Sequence, residues 1–237
     1  MSTACLQNRS PTTEKEYDDW WNRQGRYDRG PEFLAWWKTE IEQVESWLGE
    51  QAPVGRVLEI AAGTGNITRM IKPHAERIVA VDSSPETLAI NKSKNGTTKL
   101  DYEVANVFEW NAEERFDTIA FGFWLSHVPE SKLEMFWRRV EGWLKPSGRA
   151  LFIDNRSPDD DWADKPRKQT DARHDPERGI SQRVLENGRS FEIVKIFREP
   201  EGLTSRLDAI GWHSAVNRTS GAFIYGTAAQ HSRTSKT

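Results

Sequence analysis

Residues 57–82 leave little choice of fold. Val57-Leu58-Glu59-Ile60 reads as a buried strand and Ala61-Ala62-Gly63-Thr64-Gly65 as a small-residue turn. Asn66 to Ile71 reads as a short helix stopped by Pro73, and Ile78-Val79-Ala80-Val81 as a second strand ending on Asp82. This is one βαβ unit. In open α/β sheets, ligands sit outside the carboxyl ends of the strands where strand order reverses. Gly63 and Gly65 remove Cβ atoms where a ligand could approach the backbone, and Asp82 stands where a carboxylate can accept from the two hydroxyls of a ribose. The unit points to a cofactor of the adenosine type.

A dinucleotide site would carry a third glycine, G-x-G-x-x-G, with the pyrophosphate on the helix N-terminus. Thr68 occupies that position, and a Glu59 carboxylate at the strand end would repel a pyrophosphate but suit a cofactor with positive charge. The Glu59 to Asn66 run resembles the first motif of class I S-adenosylmethionine-dependent methyltransferases, with Ala61 in place of the first glycine. The resemblance continues over residues 54–155. Val79 to Pro85 is similar to the second element, Tyr102 to Phe108 to the third, Phe116 to Phe123 to the fourth strand, and Leu144 to Phe152 to the turn into the fifth. It implies S-adenosyl-L-methionine as cofactor, held by Glu59, Ala61, Gly63, Gly65, Asp82, Ser83, Asn106, Val107, Phe121 and Phe123. Asp82 would take the ribose, and Asn106 would meet the exocyclic amine of the adenine. The implied fold is α/β, a Rossmann-like, seven-stranded, mostly parallel sheet of order 3-2-1-4-5-7-6 with helices on both faces.

The rest of the chain fits around that sheet. Phe33, Trp37, Ile41, Val44 and Leu48 recur at helical spacing and predict an amphipathic helix over 31–49. Ser84-Pro85-Glu86 opens a helix that Asn95-Gly96 closes. Leu133, Phe136, Trp137, Val140 and Leu144 mark another helix, and a strand follows over 149–153. Asn187-Gly188 between alternating runs predicts a hairpin over 181–197. A helix over 200–210 and a strand pair over 212–228 complete the antiparallel edge. The expected organisation is one methyltransferase domain over 14–229. Within it, 14–50 would form a helical lid, 54–155 the cofactor-binding half, and 156–198 a loop and hairpin over the acceptor site. Residues 1–13 and the tail 230–237 are expected to lack order.

Composition narrows the partners. A net charge of -3 and a pI near 6.0 argue against nucleic acid, which usually imposes a basic face. No segment reaches about 18 consecutive apolar residues, so no membrane span is expected. The start shows no basic stretch followed by an apolar one, so a cytoplasmic location is expected. The single cysteine, Cys5, cannot form an internal disulfide. The mixed-charge stretch Asp159-Asp160-Asp161 reads as solvated, and no metal is expected.

Methyl transfer to a nucleophile depends mainly on alignment, and a base is needed only where the acceptor must lose a proton. His127, in the segment leaving the fourth strand, either serves as that base or braces the loop around the cofactor. Asp154 and Asn155 end the fifth strand, where they would orient a polar acceptor or cap the local backbone. Tyr17, Trp20, Trp21 and Tyr27 would either line an acceptor pocket or pack on the outer sheet. The expected reaction is methylation of an oxygen or nitrogen on a small, partly apolar molecule. The alternatives are a nucleic-acid or protein methyltransferase, a regulator that binds cofactor without turnover, and, more distantly, a nicotinamide dehydrogenase.

Overall fold

The computed structural model describes residues 31–156, 174–184 and 190–230. In chain order these residues form α1 (Pro31–Gln51), β1 (Arg56–Ile60), α2 (Asn66–Ile71), β2 (Arg77–Asp82), α3 (Pro85–Asn95), β3 (Leu100–Val104) and β4 (Phe116–Gly122). There follow α4 (Leu133–Trp143), β5 (Leu144–Asn155), β6 (His174–Asp175), β7 (Ile180–Val184), β8 (Ser190–Val194), α5 (Pro200–Ala209), β9 (Trp212–Arg218) and β10 (Phe223–Gln230). Two 3-10 turns, Leu125–His127 and Glu130–Lys132, join β4 to α4.

Among the described residues, ten strands make two sheets. The larger has the order β3-β2-β1-β4-β5-β10-β9, which is the expected 3-2-1-4-5-7-6 once the strands of the inserted sheet are set aside. β1 pairs in parallel with β2 on one side and β4 on the other, so chain order reverses between β1 and β4. The smaller sheet, β6-β7-β8, contains the predicted hairpin and adds a short strand that the sequence did not signal. The Asn187-Gly188 turn itself lies outside the described residues.

Both faces of the large sheet are buried, as parallel strands require. On one face α4 and α5 pack over Phe121, Phe152 and Trp212, with Phe136 and Trp137 of α4 fully enclosed. The Phe121 and Phe152 rings stack at 5.9 Å, and Trp137 meets Trp212 edge-on at 4.8 Å. On the other face α1, α2 and α3 cover Val57, Ile78, Ala80, Ala120 and Phe223. Local signals set the helix ends. Ser84 caps α3 by accepting from the Thr87 N–H at 3.2 Å, and Pro85 sits in its first turn.

Of the segment 14–50, expected as a lid, the described part is α1. α1 is a layer of the sandwich, docked on the turn between β9 and β10. Glu40, fully buried, accepts from the Thr219 and Ser220 hydroxyls and from the Ala222 N–H at 2.7 Å. Trp37 meets Phe223 edge-on at 5.1 Å and Trp47 lies 4.9 Å from Tyr225. Residues 14–30, with Tyr17, Trp20, Trp21 and Tyr27, lie outside the described residues, as do 1–13 and 231–237. No helix among the described residues is long and apolar enough to cross a membrane.

Glu40 therefore holds α1 in place. Glu40→Ala removes a carboxylate from three donors and is expected to cost about 2–4 kcal/mol, the scale of losing buried hydrogen bonds to a charged group. Denaturant unfolding measures this as a fall in midpoint at constant m-value.

Candidate cofactor and acceptor site

The site forms where β1 and β4 diverge. The turn after β1 is pinned from two sides. From β2, Asp82 accepts the Gly63 N–H at 2.9 Å through one oxygen, and the Ser84 N–H at 2.9 Å and Thr87 hydroxyl at 3.2 Å through the other. From α3, Asn95 donates to the Gly65 carbonyl at 3.0 Å and to the Asn91 side-chain oxygen at 2.9 Å. The expected ribose ligand thus also sets the shape of the turn. Burial pushes its pKa up, against the hydrogen bonds from Ser84 and Gly63 that pull it down.

The two glycines have different tasks. A Cβ on Gly65 would strike the Asn95 and Asn91 side chains at 2.3 and 2.4 Å, so its bare backbone is consumed by the packing of α3. A Cβ on Gly63 would meet only the Ala61 carbonyl, at 3.8 Å, among the described residues. Gly63 is the position where bare backbone faces outward for close approach. Ala61 keeps a glycine's conformation with φ +53°. A left-handed alanine is strained by roughly 1–2 kcal/mol, part of which a glycine returns through its greater freedom when unfolded. Ala61→Gly should therefore raise stability by about 0.5 kcal/mol, read as a higher Tm.

Beneath the turn lies Glu59, 1% exposed. One carboxyl oxygen accepts the Thr68 hydroxyl at 2.7 Å; the other has no hydrogen-bond partner among the described residues. Asn91 donates to the Thr68 hydroxyl at 2.8 Å, so the network continues into α3. Thr68, at the place of a dinucleotide motif's third glycine, is there to hold this carboxyl. Burial raises the Glu59 pKa from 4.5 to about 8, reinforced by the nearby charge of Asp82. The repelling carboxylate anticipated from sequence is thus a largely neutral acid at pH 7 until a cation arrives. The residues fit a cationic nucleoside: an unpartnered buried carboxyl oxygen, an open glycine and an acid at the tip of β2.

Glu59 makes a sharp pH prediction. Its folded pKa lies above its ordinary value, so its contribution to stability is complete below about pH 4.5 and is lost as pH rises through about 8. Glu59→Gln should flatten this part of the stability–pH curve and be more stable than the parent above pH 8. Thermal unfolding from pH 5 to 9 measures it.

The remaining positions divide. Ser83 is exposed beside Asp82. Asn106 is exposed and caps its own turn, accepting the Phe108 N–H at 3.0 Å while its amide reaches Glu109 at 3.2 Å. Val107 is buried beneath it. The Phe121 ring lies in the core, 1% exposed between Phe136, Trp137 and Phe152. Phe123 has φ +59°, uncommon for a bulky residue, and its N–H donates to the Ile153 carbonyl at 2.7 Å. Its ring turns to Phe223, 5.5 Å away, on the same side as Trp37. Trp36 and Trp37, whose rings lie 6.1 Å apart, thus bring the amino end of α1 to this end of the sheet. The sequence offered helical spacing for Trp37 but nothing that placed either at the site.

The segment leaving β4 is bound to the small sheet. The His127 Nδ1 lies 2.7 Å from the Val194 carbonyl, and the Ile196 N–H donates to the Ser126 carbonyl at 2.8 Å. A carbonyl only accepts, so Nδ1 carries a proton, and in a neutral ring with that tautomer Nε2 is the basic nitrogen. Asp154, 1% exposed, accepts the Ser126 N–H and hydroxyl, both at 2.7 Å, and the Asn155 N–H at 2.7 Å. Asp154 therefore shapes the His127 turn. No set of three or more His, Cys, Asp or Glu side chains among the described residues could hold a metal.

Comparison with known proteins agrees with this geometry. A family described as a methyltransferase domain matches residues 57–148. A DhpI structure in complex with SAM and HEP is 31% identical, covers 87% of this chain and 92% of its own, and superposes with a TM-score of 0.67. The chain belongs to the class I S-adenosylmethionine-dependent methyltransferases. A DhpI–SAH complex is 29% identical, with a TM-score of 0.70 and 92% of each chain covered. An uncharacterized methyltransferase of Staphylococcus carnosus (strain TM300) is 37% identical over 101 residues, 42% of this chain and 47% of that relative. The chain spans about half the length of the curated relatives it matches, and the family match over residues 57–148 includes the glycine turn.

Proposed function

We propose that this methyltransferase binds S-adenosyl-L-methionine and methylates an oxygen or nitrogen of a small, partly apolar molecule. The observation that carries the reading is Glu59, a buried acid with one oxygen unpartnered under a turn whose outward position is a bare glycine. When bound, S-adenosylmethionine supplies an electrophilic methyl group on a sulfonium.

The chain's own residues do the rest. Glu59 ionises against the positive charge, and Ala61, Gly63 and Gly65 present backbone to it. Asp82, with Ser83 beside it, accepts from the ribose, and Asn106 and Val107 border the base. Phe123, Trp36 and Trp37 wall the acceptor side. His127 would take, on Nε2, the proton that the acceptor gives up on being methylated. The small acceptor is supported by the aromatic wall and by the DhpI complex, a relative spanning most of this chain that holds SAM and HEP.

Two measurements test this. At pH 7 Glu59 is mostly protonated, so binding of S-adenosylmethionine should release close to one proton, and affinity should rise with pH to a plateau above about 8. Calorimetry in buffers of different ionisation heat reads the proton, and Glu59→Gln should abolish it. Binding with no proton released by the parent would remove Glu59 from the cation's site. His127→Ala should lower the chemical rate by about 10²–10⁴ with cofactor affinity nearly intact. A His127→Gln variant at parental single-turnover rate across pH 6–9 would exclude the base role.

A further inference from the structure

Lys195 follows β8 and is 3% exposed, an ammonium in the interior that methyl transfer does not itself require. Burying an unpaired ammonium is costly, so its position is specified by what it meets. Its Nζ donates to the Ser126 hydroxyl at 2.7 Å and to the Asn155 side-chain oxygen at 2.8 Å, and lies 3.7 Å from Asp154. The Ser126 hydroxyl in turn donates a hydrogen bond to Asp154 at 2.7 Å, so ammonium, hydroxyl and carboxylate form one chain. The residue before Lys195 is Val194, whose carbonyl holds His127, and the residue after it is Ile196, bonded to the Ser126 backbone. Two positions further on, Arg198 donates to the Val128 carbonyl at 3.1 Å and pairs with Glu130 at 2.8 Å. The chain after the small sheet is thus laced residue by residue along the turn that carries His127.

We propose that Lys195 is a positioning residue that fixes the tautomer of His127. By locking residues 194–196 against Ser126 and Asn155, it aims the Val194 carbonyl at Nδ1, keeps the ring proton there, and leaves Nε2 as the nitrogen that accepts. A free imidazole prefers the opposite tautomer, so the Nδ1–H form is a signature of the lock. The small sheet then acts on the reaction without touching the reacting atoms. The inference rests on His127 acting through Nε2, but its first readout does not need turnover.

The test is long-range ¹H–¹⁵N NMR on protein labelled at histidine, with the His127 signal among the five histidines assigned from a His127→Gln spectrum. The parent should show the Nδ1–H form. Lys195→Met keeps the length of the side chain and leaves Asp154 with its bonds from Ser126 and Asn155. It should lower the ratio of Nδ1–H to Nε2–H by about tenfold, the scale of one lost hydrogen bond. S-adenosylhomocysteine affinity by calorimetry should stay within about twofold, because the cofactor turn is held from α3 and β2, and kcat should fall while the cofactor KM holds. If Lys195→Met does not fold, Ser126→Ala removes the hydroxyl between ammonium and carboxylate and should move the ratio in the same direction. A parental tautomer ratio in the folded variant, or an Nε2–H form in the parent, overturns the proposal. Failure of the parent to bind S-adenosylhomocysteine would instead sink the methyltransferase reading and leave the tautomer result standing.

Discussion

The site is organised around the burial of one carboxyl group at the point where strand order reverses. Glu59 lies between two parallel strands and under a helix, with one oxygen given to Thr68. Removing a carboxyl from water forces it either to pair with a cation or to keep its proton. Among the described residues no cation pairs with it, and burial raises its pKa to about 8, so it keeps its proton at neutral pH. The same network shapes the turn above. Thr68 is held by Asn91, Asn91 by Asn95, and Asn95 reaches the Gly65 carbonyl, so the acid and the glycine turn share their supports. Asp82 closes the other side through the Gly63 N–H. Charge selection and backbone shape are set by one group of side chains.

The elements of the cofactor half were legible because the signals that define them are local. Apolar runs of strand length, Ser84 as a cap, Pro85 in a first turn and Asn95-Gly96 as a stop all act within a few residues, and β1, α2 and α3 sit where those signals put them. The fifth strand reaches back further than its apolar run because Leu144 pairs with Phe116 before the register shifts. The sheet order was what the family resemblance implied, carried by four ordered matches beyond the glycine turn, and the described strands follow it.

What the sequence hid depends on partners far along the chain. Glu40 reads as one acid on an amphipathic helix, yet its donors lie about 180 residues away, at Thr219, Ser220 and Ala222. Lys195 reads as a charge in an alternating strand, yet it meets Ser126 across 69 residues. For Phe121 the motif identified the strand but not which face each side chain takes, and alternation sends that ring into the core. Asp154 was placed at the end of its strand, while its role came from the turn that folds back upon it. A buried polar residue announces its burial only through its partners, and no periodicity carries that information.

The two readings of His127 are compatible, because an imidazole has two nitrogens. The bond from Nδ1 to Val194 braces the loop, and the same bond determines that Nε2 is the nitrogen able to accept a proton. Bracing and base action would compete only if they used one atom. The brace comes from β8, beyond the residues that the family shares, while the ring it orients lies within them. The shared half can thus keep its cofactor geometry while the inserted sheet varies, provided the sheet keeps a carbonyl opposite Nδ1. On the proposed base role, that division gives a physical route by which one scaffold could change acceptors: were the inserted sheet also to meet the acceptor, a change in it would re-aim His127 at the same time.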